Sequence, residues 1–168
     1  MSMSKLTIRP AVDTDAAIIM QFIIDLAVYE KEPDAVQTNE TEIANKLFCE
    51  SPKVFCLLAE IDEKPVGLAI YFYNFSTWLG KNGIYLEDLF VSPEARGKGA
   101  GKALLQSLAK IAVAEQCGRV EWSVLNWNEP SIQFYKAMGA KAQDEWTVYR
   151  LTGDALKAFA TNSLDESR

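Results

Sequence analysis

Apolar positions along this chain switch between a helical and an extended period, and each switch marks an element. Residues 6–10 read as a short first strand. Ile19, Phe22, Ile23 and Leu26 then recur at the spacing of one buried helical face. Asp13 or Thr14 can cap that helix, which runs to about Glu30 before Pro33 ends it. A second helix is predicted over 40–48. Residues 54–61 form a strand, 62–65 a turn, and 66–75 a long apolar and aromatic strand. After a loop at 80–83, residues 84–91 make another strand, closed by Pro93. The next helix runs from near Ala100 to about Gln116 and buries Leu104, Leu108, Ile111 and Ala112. Residues 119–124 alternate Val120, Trp122 and Val124 against Glu121 and Ser123, as a half-buried strand does. Asn128 or Glu129 caps a helix that tolerates Pro130 in its first turn and stops at Gly139. A last strand over 145–151, a short helix over 154–160 and a frayed tail at 161–168 complete the chain.

The pattern is that of one mixed α/β domain, and 168 residues suffice for a real core. With 49% hydrophobic and 24% charged residues, the composition is that of an ordinary soluble protein. The net charge of −6 disfavours a nucleic-acid binder, which needs a basic face. The three cysteines Cys49, Cys56 and Cys117 are odd in number and form no Cys-x-x-Cys pair. They read as reduced thiols of a cytoplasmic protein. No signal peptide is expected ahead of the first strand. The apolar stretch 16–28 contains Gln21 and Asp25 and is too short to span a bilayer.

One absence changes the picture more than any of these. The chain has no histidine. Ser-His-Asp and Cys-His nucleophile systems and His-based zinc sites are therefore excluded, and no metal site is expected. A general base must be a carboxylate, Tyr, Lys, Cys or a held water.

Positive chemistry enters at Glu94-Ala95-Arg96-Gly97-Lys98-Gly99-Ala100-Gly101-Lys102. Strand, glycine-rich turn and helix follow one another there. Glycines let main-chain N–H groups turn inward, and the helix start adds partial positive charge, so the segment suits a phosphate. Arg96 and Lys98 strengthen it. Read alone, it is equally a flexible basic turn. The spacing is neither a P-loop nor a dinucleotide fingerprint.

Arg96-Gly97-Lys98-Gly99-Ala100-Gly101 does match Arg/Gln-x-x-Gly-x-Gly/Ala, the coenzyme A pyrophosphate loop of the Gcn5-related (GNAT) N-acetyltransferases. Tyr85-Leu86-Glu87-Asp88-Leu89-Phe90-Val91 and Trp127-Asn128-Glu129-Pro130-Ser131-Ile132-x-Phe134-Tyr135-Lys136-x-x-Gly139-Ala140 resemble its spermidine/spermine (diamine) branch. Leu26-Ala27-x-Tyr29-Glu30 and Ile8-Arg9-Pro10-Ala11 extend the resemblance to about residues 5–160. It implies a mostly antiparallel mixed sheet of six to seven strands flanked by helices and splayed at the strand before the glycine turn. It implies acetyl-coenzyme A as donor, a small-molecule amine as acceptor, no nucleic-acid or membrane partner, and a homodimer.

Residue roles follow from the same resemblance. Leu89, Phe90 and Val91 would present main-chain groups to the acetyl carbonyl and pantetheine arm. Arg96, Gly97, Lys98, Gly99, Ala100, Gly101 and Lys102 would hold the pyrophosphate, with Asn128 and Ser131 adding contacts. Tyr135 matches the proton donor to the leaving thiolate, although an aromatic beside Ile132 and Met138 also reads as core. Glu87 matches the substrate-side glutamate that accepts the amine proton. Tyr29, Glu30, Asp88, Glu121 and Glu145 fall at or near substrate-side positions. In a regular strand Glu87 and Asp88 point to opposite faces, so only one faces a cleft unless a bulge intervenes. Trp78, Trp122, Trp127 and Trp146 are expected mainly to pack. Acylation of a protein amine, or coenzyme A binding without turnover, are the alternative functions.

Overall fold

The central strands carry apolar residues on both faces, and that two-sidedness organises the fold. The computed structural model describes residues 3–162. Its contacts group the chain into two compact units that divide between Leu125 and Asn126.

In the first unit, β1 (Leu6–Pro10), β2 (Phe55–Ile61), β3 (Lys64–Ser76) and β4 (Lys81–Val91) pair antiparallel in chain order. A short β5 (Val120–Trp122) adds to β4 in parallel. Five strands are therefore present among the described residues, fewer than the six to seven expected. Residues 145–151 join no ladder, and all are exposed. The apolar residues Trp146, Val148, Tyr149 and Leu151 imitate a strand, but a strand exists only with a pairing partner.

Side chains alternate across the pleat, so each face of the sheet builds its own core. One face places Cys56, Leu58, Leu68, Ile70 and Phe90 against Ile19 and Phe22 of α1 (Ala16–Tyr29) and Leu47 of α2 (Glu40–Leu47). The other carries Leu57, Ala59, Ala69, Ile84 and Leu86, all buried. There the sheet meets α3 (Ala100–Ala114), whose Leu104 and Leu108 are fully buried. Full burial of such a leucine contributes about 1.5–3 kcal/mol.

Local signals set the ends of these elements. Asn39 caps α2 by accepting the Glu42 N–H at 3.0 Å. A 3₁₀ turn, Asp13–Asp15, precedes α1 where a simple cap was expected. Its Asp15 is held by a bidentate pair with Arg9, at 2.7 and 2.9 Å, and Arg9 Nε also donates to Glu60 at 2.9 Å. That triad pins β1, β2 and the entry to α1.

The second unit contains α4 (Glu129–Ala137) and α5 (Gly153–Thr161). Gly139 stops α4 with φ +94°, as its position predicts. Thr161 closes α5, so the expected tail begins as helix there, and residues 163–168 of it lie outside the described residues.

Candidate active site

The site begins with a fault in a strand. In the β3–β4 ladder Ile70 faces Asp88 and Tyr71 faces Leu86, which leaves Glu87 with no partner. This is a β-bulge, in which one strand absorbs an extra residue and its side-chain alternation resets. Asp88 thereby takes the face of Tyr85 and Phe90, toward α1. Both Glu87 and Asp88 line the same cleft. The regular strand assumed from sequence would have separated them.

That cleft measures about 500 Å³. Ile23, Leu26, Ala27 and Glu30 of the α1 side form one wall, Ala35, Val36, Gln37 and Thr38 the next, and the bulge the third. Three carboxylates thus meet with aliphatic surface between them, and no cationic residue is among those lining it. Burial pushes the Asp88 carboxyl up to about 6, and the neighbouring charges of Glu87 and Glu30 push the same way. Burial also raises Glu30, with Glu87 adding to it. Such a cleft is acidic with aliphatic walls, a setting that complements positive charge.

The wall residues 35–38 were missed in the sequence. Ile23 and Leu26 were read only as core. The one available signal was the apolar pair Ala35-Val36 inside an otherwise polar connection.

A second feature lies at the other end of β4. Pairing with β5 covers only Ile84, Tyr85 and Leu86. From Glu87 to Val91, β4 has no neighbour on its β5 side among the described residues. This is the expected splay, and it leaves main-chain groups of Leu89, Phe90 and Val91 on an open edge. A 3₁₀ turn, Pro93–Ala95, then leads to Arg96 and the glycines. Gly97 and Gly99 adopt φ +79° and +87°, and a Cβ at either would meet nothing within 4 Å. Glycine is needed there for backbone conformation, and the space beside it is open. The first intrahelical bond of α3 runs from Ala103 N to Gly99 O at 2.9 Å. The N–H groups of Ala100, Gly101 and Lys102 therefore have no helical partner, and they form an anion site with the exposed Lys98 and Lys102 nearby. These residues fit a diphosphate.

Other sequence-selected residues take different places. Tyr29 is half-buried at the end of α1, with the Arg96 guanidinium 4.9 Å above its ring centre. Glu121 sits on β5, paired with Arg119 at 3.0 Å and accepting from Asn74 at 3.2 Å, and it does not line the cleft. In the second unit, Asn128 is buried at the start of α4, Ser131 and Tyr135 are half-buried along it, and Tyr135 packs 5.7 Å from Phe134. Glu145 is exposed. The tryptophans pack less than expected: Trp78, Trp127 and Trp146 are exposed and Trp122 half-buried. None of the cysteines lines the cleft, and burial holds the Cys56 thiol up at about 12, far from a reactive thiolate.

Comparison with known proteins places the chain among acetyltransferases. The sequence profile of the Acetyltransferase (GNAT) family matches residues 21–140. The chain is 37% identical to a thialysine N-epsilon-acetyltransferase of Bos taurus, over 94% of this chain and 99% of the relative. It is 33% identical to the L-ornithine N5-acetyltransferase NATA1 of Arabidopsis thaliana, over 90% and 86%. Among solved structures, the integron cassette protein VCH_CASS6 from the mobile metagenome of V. cholerae superposes with a TM-score of 0.79 at 30% identity, covering 94% of this chain and 98% of that one.

Proposed function

The chain belongs to the GNAT acetyltransferase family, whose acyl donor is acetyl-coenzyme A, and on that premise we propose that it acetylates a primary amine of a small cationic substrate. The acceptor is a diamine, a polyamine, or a thialysine- or lysine-like amine. One observation carries this reading: the bulge at Glu87 puts two adjacent carboxylates into an apolar-walled cleft with Glu30. The amines named for the relatives are of the same class.

The chemistry is direct transfer. An amine of pKa about 10.4 is almost wholly protonated at neutral pH, and making it a nucleophile costs about 4.6 kcal/mol. Glu87, exposed at the bulge, accepts that proton through water. Asp88 and Glu30 hold the substrate's positive charge. The nitrogen then bonds to the acetyl carbon while the carbon–sulfur bond breaks. Main-chain N–H groups on the open edge of β4 stabilise the oxyanion. The leaving thiolate takes a proton from Tyr135, a role resting on the family resemblance of the stretch that starts at Asn128, and the second proton shed by the acylated nitrogen restores the phenol through solvent. Alignment of the two reactants supplies much of the rate. Arg96, Lys98, Lys102 and the amides opening α3 hold the diphosphate. On this reading residues 1–168 are a single N-acetyltransferase domain with its core over 5–160, in a cytoplasmic homodimer.

The test is a panel of amines with acetyl-coenzyme A, read by free thiol. Steady release with thialysine, ornithine, putrescine or spermidine is expected. Tight coenzyme A binding without release for any amine would instead mark a non-catalytic sensor.

A further inference from the structure

Arg96 is committed in an unusual way. Its Nε donates to the Val91 carbonyl at 3.2 Å, and its guanidinium carbon lies over the Tyr29 ring, 4.9 Å from the centre. These contacts come from two different elements. Val91 ends β4, and Tyr29 ends α1 one residue before Glu30. An arginine side chain normally carries large rotamer entropy, which a ligand must remove on binding. Here the ring holds the guanidinium head in place and the carbonyl fixes its Nε edge. The remaining guanidinium N–H donors have no protein partner among the described residues, and they form the fork that suits a phosphate.

We propose that Tyr29 is a positioning residue for the acyl donor: its ring holds Arg96 ready for the diphosphate, while the adjacent Glu30 serves the amine. Tyr29 was first read as a substrate contact, so this moves it to the donor side. The end of α1 then serves both reactants, one through each of two consecutive residues. The inference rests on the proposed use of acetyl-coenzyme A.

The measurements are the dissociation constant of coenzyme A by calorimetry and the separate KM values for acetyl-coenzyme A and thialysine. Tyr29→Leu removes the aromatic face and is expected to weaken coenzyme A about three- to fivefold, the size of one exposed cation–π contact. KM for thialysine should stay unchanged. Tyr29→Phe keeps the face and should bind coenzyme A more tightly than Tyr29→Leu does. In an Arg96→Met background, Tyr29→Leu should have no further effect, because the two side chains act as one unit. Tyr29→Met, of similar volume, repeats the test if the leucine variant folds poorly. The inference is overturned if Tyr29→Leu leaves coenzyme A binding unchanged, if it raises the thialysine KM instead, or if Tyr29→Phe is as weak as Tyr29→Leu. Failure of the wild type to bind coenzyme A at all would overturn the wider reading, a different and separable outcome.

Discussion

At the scale of single residues, two aspartates respond to acid in opposite directions. Burial raises Asp88 from its ordinary 3.8 to about 6, so the folded protein holds that proton more tightly than the unfolded chain. Its stabilising contribution is complete below about pH 4 and is lost as pH rises through 6. Asp15 is lowered from 3.8, first by its hydrogen bonds from Arg9, so its contribution is present above pH 4 and is lost in stronger acid. The unfolding midpoint should therefore rise as pH falls from 7 to about 5, then drop below 4. Asp88→Asn should flatten the first limb and stabilise the protein at pH 7 by on the order of 1–2 kcal/mol. A shallow slope from Glu30 should remain, since burial raises that carboxyl too. Asp15→Asn should steepen nothing at neutral pH but remove the acid limb. Thermal unfolding across pH 3–8 checks all of these. A midpoint of Asp88→Asn that still climbs as fast as the wild type's would refute the assignment. So would an acid limb that survives in Asp15→Asn.

At the scale of elements, the strand–turn–helix around Arg96 was readable because glycine spacing and helix onset are local. Gly99 at φ +87° is the position where that reading can be tested. Alanine there pays about 1–2 kcal/mol of backbone strain, and its relaxation shifts the amides that open α3. Gly99→Ala is expected to lower the unfolding free energy by that amount and to weaken coenzyme A about tenfold or more, as read by denaturant titration and calorimetry. Unchanged coenzyme A binding would separate this turn from the donor. The bulge, by contrast, was invisible. Nothing in Tyr85-Leu86-Glu87-Asp88-Leu89 announces an extra residue, because a bulge is a relation between two strands. The same holds for residues 145–151, whose apolar residues make no strand without a neighbour to pair with. Arg96 over Tyr29 was equally hidden, since the two are joined only by the folded chain.

At the scale of the whole molecule, surface apolar residues concentrate in the second unit. Trp146 is 67% exposed, Val148 81% and Tyr149 93%. Leu151, Leu156 and Phe159 are also exposed. Exposed large apolar side chains of this kind favour association, in line with the proposed homodimer. Light scattering behind a sizing column should return twice the mass of the 168-residue chain, and a strict monomer at micromolar concentration would end that proposal. Among the described residues no helix is long and apolar enough to cross a membrane.

The unpaired Glu87 works like a frameshift in the pleat. Ahead of it, odd-numbered Tyr85 looks toward α1. Behind it, even-numbered Asp88 and Phe90 do so instead. Delete that single residue and the ladder would close without a gap, with Asp88 still opposite Ile70 and Phe90 still opposite Leu68; pair it regularly instead, and a carboxylate and a large aromatic would turn to the opposite face throughout the rest of the strand. The facing of the cleft carboxylate and the packing downstream of that point therefore depend together on one residue that the ladder leaves unpaired.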